Sequence, residues 1–268
     1  MRASRSSWAV GWAVVAGLTA CGAPSRPPAS AETAPASVAP PRPEPSAHTT
    51  EPTPQRKPRP DVPPSGSSIT RIMQAHFNDA LLIRQAVIAG SPEDAVDPAY
   101  VLTHIQDLDQ LPDGWRVFVE RMQGVAGRIQ NSTTSSLAAA ATADLGVACG
   151  MCHQGHGGPK PSQEPAPPPG SSIERRMARH VWATERLWEG LIVPSSDAWT
   201  AGARALGADP FPSDVLNDGG VYARSAAGDF AKLAANATKQ KTAEQRAALY
   251  AELLVTCGTC HRAMKHGD

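Results

Sequence analysis

The sequence lacks an excess of charge of either sign: lysine plus arginine and aspartate plus glutamate number 25 each. A protein that grips nucleic acid needs a basic face, so that class of partner is set aside. Sustained period-two alternation of β-branched residues is also missing, which argues against a sheet. The apolar run from Trp8 to Ala20 is too short to span a bilayer comfortably. Cysteine is scarce, with five residues that divide into two Cys-x-x-Cys pairs and one left over.

What is present begins with Arg2 and Arg5 ahead of that short apolar run, the pattern of an export signal over residues 1–20. Leu18-Thr19-Ala20-Cys21 resembles the lipobox at which bacterial lipoproteins are cut and lipidated. The resemblance implies that Cys21 becomes the lipidated first residue of an exported chain. That chain would be anchored to a bacterial membrane and face the periplasm or the outer envelope surface. The alternative is an ordinary secretory peptide with Cys21 near the cleavage site by chance. The lipobox cysteine is also the leftover one, so the other four are all accounted for by the pairs.

Fourteen of the 26 prolines lie between Gly22 and Gly66, in a stretch with almost no large apolar side chains. It cannot build a core, and residues 21–66 are predicted to form a disordered, Pro-rich tether. In extended polyproline form, at ~3.1 Å per residue, it would reach roughly 140 Å. A second proline cluster, Gly157 to Gly170, reads as a linker between two domains, 67–156 and 171–268. The chain repeats itself across that linker: "GSSITRIMQAHF" from Gly66 aligns without gaps on "GSSIERRMARHV" from Gly170. A residue found in both copies is the better candidate for a shared role.

Each copy reads as helices. The first stripe is Ile69, Ile72/Met73, His76, Ala80, Ile83 and Val87, and the second Ile173, Met177, His180, Leu187 and Leu191. Ser171 to Glu174 reads as a capping box opening the second of these helices, and Gly90 and Pro194 stop them. Shorter helices are predicted after Ser91 and Ser195, and third helices over roughly 115–130 and 214–237. Fourth helices are predicted to open around 133–136, with Asn131 near the cap, and at the Thr242–Gln245 capping box. Each fourth helix runs into Cys-x-x-Cys-His, at Cys149, Cys152 and His153 and again at Cys257, Cys260 and His261.

Two thiols at that spacing reach the two vinyl groups of a porphyrin, and the histidine that follows can turn beneath the ring to bind iron, as in attachment of haem c. A zinc site would want its pairs about fifteen to twenty residues apart, and a thioredoxin-like pair would need a βαβ context. Two covalent haems c are therefore predicted, one per copy.

A haem motif at the end of the last of four helices resembles the cytochrome c′ class. The resemblance covers residues 67–153 and 171–264, each copy being shorter than a typical member. It implies an all-α fold of two tandem helical-bundle haem domains, with the first helix of each on the distal side of iron. His76 and His180 are then candidate sixth ligands, with Met73 and Met177, one turn earlier on the same side, as the alternative. His104, His48, His156, His266 and Met264 are given no role, and Trp115, Trp182, Trp188 and Trp199 are assigned to packing.

The expected function is electron transfer between periplasmic or membrane redox proteins, with no bond change catalysed. The rival readings are a gas-binding or haem-sensing module with an open or labile sixth position, and a dihaem peroxidase, for which no separate acid–base set is found.

Overall fold

The computed structural model describes residues 68–105, 111–163, 166–208, 211, 215–217 and 219–266. The segment 1–20 predicted as an export signal, Cys21, the predicted tether 21–66 and His48 lie outside the described residues. Within them there is no strand. Eight α-helices follow one another as α1 (Ser68–Ala89), α2 (Val96–Thr103), α3 (Arg116–Gln130), α4 (Ser135–His156), α5 (Ile173–Ile192), α6 (Ser196–Gly207), α7 (Gly220–Ala237) and α8 (Ala243–His266).

The helix ends follow from short side chains that satisfy unpaired backbone groups. The Thr134 hydroxyl accepts from the Leu137 amide at 3.2 Å, and the Ser195 hydroxyl from the Ala198 amide at 3.2 Å. Ahead of α8 the capping box forms in full. The Gln245 amide donates to the Thr242 hydroxyl, and the Thr242 amide donates back to the Gln245 side chain.

Three boundaries differ from the sequence reading. The cap of α5 is Ser172, not Ser171, and its hydroxyl accepts from the Arg175 amide. Glu174 therefore sits too early in the helix to complete the predicted box. The third helix of the second copy starts at Gly220, after a separate 3-10 turn over Val215–Asn217, because Gly220 takes φ +61° and interrupts the helical path. Asn131 closes α3, its side-chain amide donating to the Gly127 carbonyl at 2.7 Å, and Thr134 is the residue that opens α4.

Neighbouring helices pack in sequence, α1 to α2 to α3 to α4 and α5 to α6 to α7 to α8, and each first helix also touches its own last helix. The predicted buried stripes hold, with Ala80, Ile83 and Val87 on α1 and Leu187 and Leu191 on α5 all buried. The halves do not stay apart. Residues 61–268 form one compact unit in which α4 packs along α8, α1 also lies on α8, and α5 lies on α4. Arg262 near the end of α8 donates to the Ser135 hydroxyl at the start of α4 at 3.0 Å, so the two motif-bearing helices run antiparallel.

The proline-rich stretch 157–170 is thus a connection inside one unit, and it is pinned to α5. Ser162 bonds to the Glu189 carboxylate, Arg186 reaches both Ser162 and Glu189, and Arg179 donates to the Pro168 carbonyl. Helix α4 is long and apolar enough to cross a membrane by composition. Here its Ala138, Ala139, Ala141, Leu145 and Ala148 are buried against the rest of the unit.

Candidate functional site

Two cavities hold the sequence-predicted site residues, one set per copy. Cys149, Cys152 and His153 of α4 line the first, together with Met73 and His76 of α1. Cys257, Cys260 and His261 of α8 line the second, with Met177 and His180 of α5. The fold thus brings each pair of thiols, its following histidine and the candidate histidine and methionine of the same copy to one apolar hollow.

The walls of each cavity also come from the other copy. Trp188 and Ile192 of α5 close the first, and Arg84 and Ile88 of α1 close the second. The contact is reciprocal: His153 Nδ1 lies 2.6 Å from the Ile192 carbonyl oxygen, and His261 Nδ1 lies 2.8 Å from the Ile88 carbonyl oxygen. A carbonyl only accepts, so Nδ1 carries a proton in both rings, and in the neutral imidazole Nε2 is then the atom with the free lone pair. Ile88 and Ile192 are the same position of the repeated first helix. Each first helix therefore supplies a histidine to its own copy's cavity and a carbonyl to the other copy's motif histidine.

Glycine makes this approach possible. Gly150 and Gly258 follow the first cysteine of each motif. A Cβ at Gly258 would stand 2.8 Å from the Val87 carbonyl oxygen, and one at Gly150 would clash with the Leu191 carbonyl oxygen. At the end of α1, Gly90 takes φ +79°, which suits glycine, and turns the chain against Gly258.

Burial keeps the thiols protonated. It pushes Cys149 and Cys257 up to about 12, with a smaller contribution from the second cysteine of each pair, and it raises Cys152 and Cys260 as well. Thiols held neutral in this way are poor nucleophiles and poor zinc ligands, both of which need the thiolate. Among the described residues no three His, Cys, Asp or Glu side chains converge as a metal cage requires.

The distal candidates differ between copies. His76 has its Nδ1 buried with no hydrogen-bond partner. Burial lowers its proton affinity, partly opposed by Asp79 one turn on. A folded-state value below 6.5 means that the unfolded chain binds the proton more readily. Stability is then present above pH 6.5 and lost as pH falls through the lower folded value. With nothing bound in the first cavity, for instance in a Cys149→Ala/Cys152→Ala chain, the urea midpoint should fall between pH 7 and pH 5. His76→Leu should flatten that fall, and an unchanged slope would contradict it. His180 is itself buried, its ring stacked on Phe230 at 4.8 Å and met edge-on by Phe211 at 4.6 Å.

Several residues given no role by the sequence reading lie at these sites. His156 ends α4, its ring 5.1 Å from Trp115 and 5.2 Å from Phe118, both of which line the first cavity. Met264 lines the second cavity. Trp115 and Trp188 wall the first, while Trp199 is a core residue whose indole donates to the Ala237 carbonyl at 2.8 Å. His104 is an exposed residue stacked on Tyr100. The glycine after the first cysteine stands in both motifs and was a visible signal for close helix approach; the carbonyls of Ile88 and Ile192 left none, because backbone acceptors have no sequence signature.

A thioether-linked porphyrin needs two reduced thiols at the right spacing, an imidazole with a free Nε2, and an apolar slot, and the donor sets of both cavities, with all four cysteines free, fit that need. The second cavity, of about 490 Å³, is within the range of small-molecule sites. The first, of about 70 Å³, is walled in part by Phe77, Trp115 and Phe118 and lies below that range.

No family model, curated protein or solved structure matches the chain.

Proposed function

We propose that the chain is a lipid-anchored dihaem c-type cytochrome of the cytochrome c′ kind, which passes electrons between redox proteins of a bacterial envelope. The reading is carried by the matched pair of imidazole–carbonyl hydrogen bonds. Each motif histidine is held in the one tautomer that offers Nε2 to a metal, and by the same device in both copies.

Haem c supplies one-electron cycling between ferric and ferrous iron. The protein's part is to hold and tune it. Cys149 and Cys152, and Cys257 and Cys260, would anchor the porphyrin edge. The carbonyls of Ile192 and Ile88 orient His153 and His261 and raise their basicity as ligands. His76 and His180, which line the cavities from the first helices, would be the second ligands to the metal, with Met73 and Met177 as the alternative. His76 in particular has a buried nitrogen that lacks a protein partner. The apolar walls keep water from the sites, and no acid–base group is needed for a transfer that moves no proton. Export and the lipid on Cys21 would keep this unit at the membrane surface on a long tether.

Mass spectrometry of protein made in a cell that attaches haem c should show two added porphyrins, and Cys149→Ala/Cys152→Ala should leave one. A bare polypeptide would sink the proposal. A low-spin ferric spectrum without a methionine charge-transfer band supports histidine on both faces, whereas a high-spin spectrum with ready carbon monoxide binding would favour gas binding instead.

A further inference from the structure

The two cavities are built alike but not charged alike. Arg84 of α1 and Trp188 of α5 occupy the same position of the repeat, and each crosses to wall the other copy's cavity. Both stand one turn before the isoleucine whose carbonyl holds the motif histidine, and so on that histidine's side of the cavity. One position thus places a guanidinium beside Cys257 and His261, and its counterpart an indole beside Cys149 and His153.

Arg84 is 5% exposed. Its guanidinium donates to the Thr184 hydroxyl at 3.4 Å and bonds to the Tyr250 hydroxyl, both neutral groups, and its Nε has no hydrogen-bond partner. Tyr250 is fully buried, stacks on Trp188 at 5.9 Å and donates to the Thr184 carbonyl. A charge held in so dry a place acts on its surroundings far more strongly than one in water. Glu185, which also lines the second cavity, is exposed, and solvent screens its opposing charge. In the first copy the asymmetry runs the same way. Asp79 is buried one turn from His76, and its counterpart in the second copy is Ala183.

We infer that Arg84 makes the second site the stronger electron acceptor of the two. The inference rests on the dihaem reading above. Ferric iron carries one more positive charge than ferrous, so a buried cation beside it disfavours the oxidised form, and an indole in the same place does not. Within the molecule one electron then passes from the first site to the second. The first is oxidised as the second is reduced, with no proton moved and no bond broken. The donor protein is served at the first cavity and the acceptor at the second.

The test is a spectroelectrochemical titration of the full chain with its haem content counted beforehand. Wild type should show two one-electron waves, and Cys149→Ala/Cys152→Ala, which keeps only the second haem, should retain the higher one. Arg84→Leu should lower that wave by ~tenfold in the electron partition, about 59 mV for a one-electron couple, and leave the other in place. Arg84→Lys should hold it near its original position. If Arg84→Leu carries fewer than two haems, Arg84→Gln, which keeps hydrogen-bonding groups without the charge, is measured in its place and should show the same drop. A higher wave that stays put in the neutral variant, or two waves that move together, overturns the inference while leaving the dihaem reading intact. A wild type without two haems overturns the reading itself.

Discussion

Valine at Gly150 is expected to destabilise the folded unit by about 3 kcal/mol, or roughly 6–12 °C in melting temperature for a unit of this size. The cause is the backbone of α5, whose Leu191 carbonyl lies where the first side-chain carbon would go; Pro194 crowds the same space. A backbone cannot swing aside as a side chain can, so α5 must retreat from α4, and the hydrogen bond from His153 to Ile192 goes with it. Gly258→Val should act in the same way through Val87 and Gly90. Gly228 of α7, where an added Cβ meets nothing within 4 Å, is the control. Gly228→Ala should stabilise by up to about 1 kcal/mol, because alanine is the better helix former. Thermal melts of the three variants decide it. A Gly150→Val chain that melts with wild type would mean that α4 and α5 do not pack this closely.

A fragment of residues 67–163, the first copy alone, is expected not to unfold cooperatively. Cut off from the second copy, α4 loses its contacts with α5 and α8, and α1 loses α8. Leu145, Ala148 and Val87 sit on the helices that would be uncovered, and His153 would have no carbonyl to fix its tautomer. Amide hydrogen exchange should show α4 protected in the full chain and open in the fragment, with protection returning when residues 166–268 are added. A fragment whose α4 amides exchange as slowly as in the full chain would show that each copy is self-sufficient.

The contrast between that expectation and the sequence reading shows where legibility ends. Helix positions were legible because they depend on local signals: the stripes of α1 and α5, the Thr242–Gln245 box, and the stops at Gly90 and Pro194. That the motif residues and the candidate histidine and methionine of a copy would meet in one cavity was legible because the repeat set them in register. The joining of the copies was not. Proline between Gly157 and Gly170 marks a break in helix, and a break in helix does not say whether the flanking pieces separate or fold back on each other. Here they fold back, α4 packing on α5 and α8 and α1 on α8, while the connection itself is fastened to α5 by Ser162, Glu189 and Arg186. Nor could Arg84 be placed, since an arginine on an otherwise apolar stripe reads as a side chain reaching for solvent until α5 and α8 are seen to cover it.

The closed form of the two cavities sets an order of events. The thiols that would take the porphyrin are partly exposed and flanked by helices of the opposite copy, and the narrower hollow leaves room for little more than a few waters until its aromatic rings part. On the dihaem reading, the first site must be loaded before its rings and the facing helix close over it, so the chain has to be met by its maturation machinery while that half is still ajar. A polypeptide that shuts first would be trapped as a stable but colourless product.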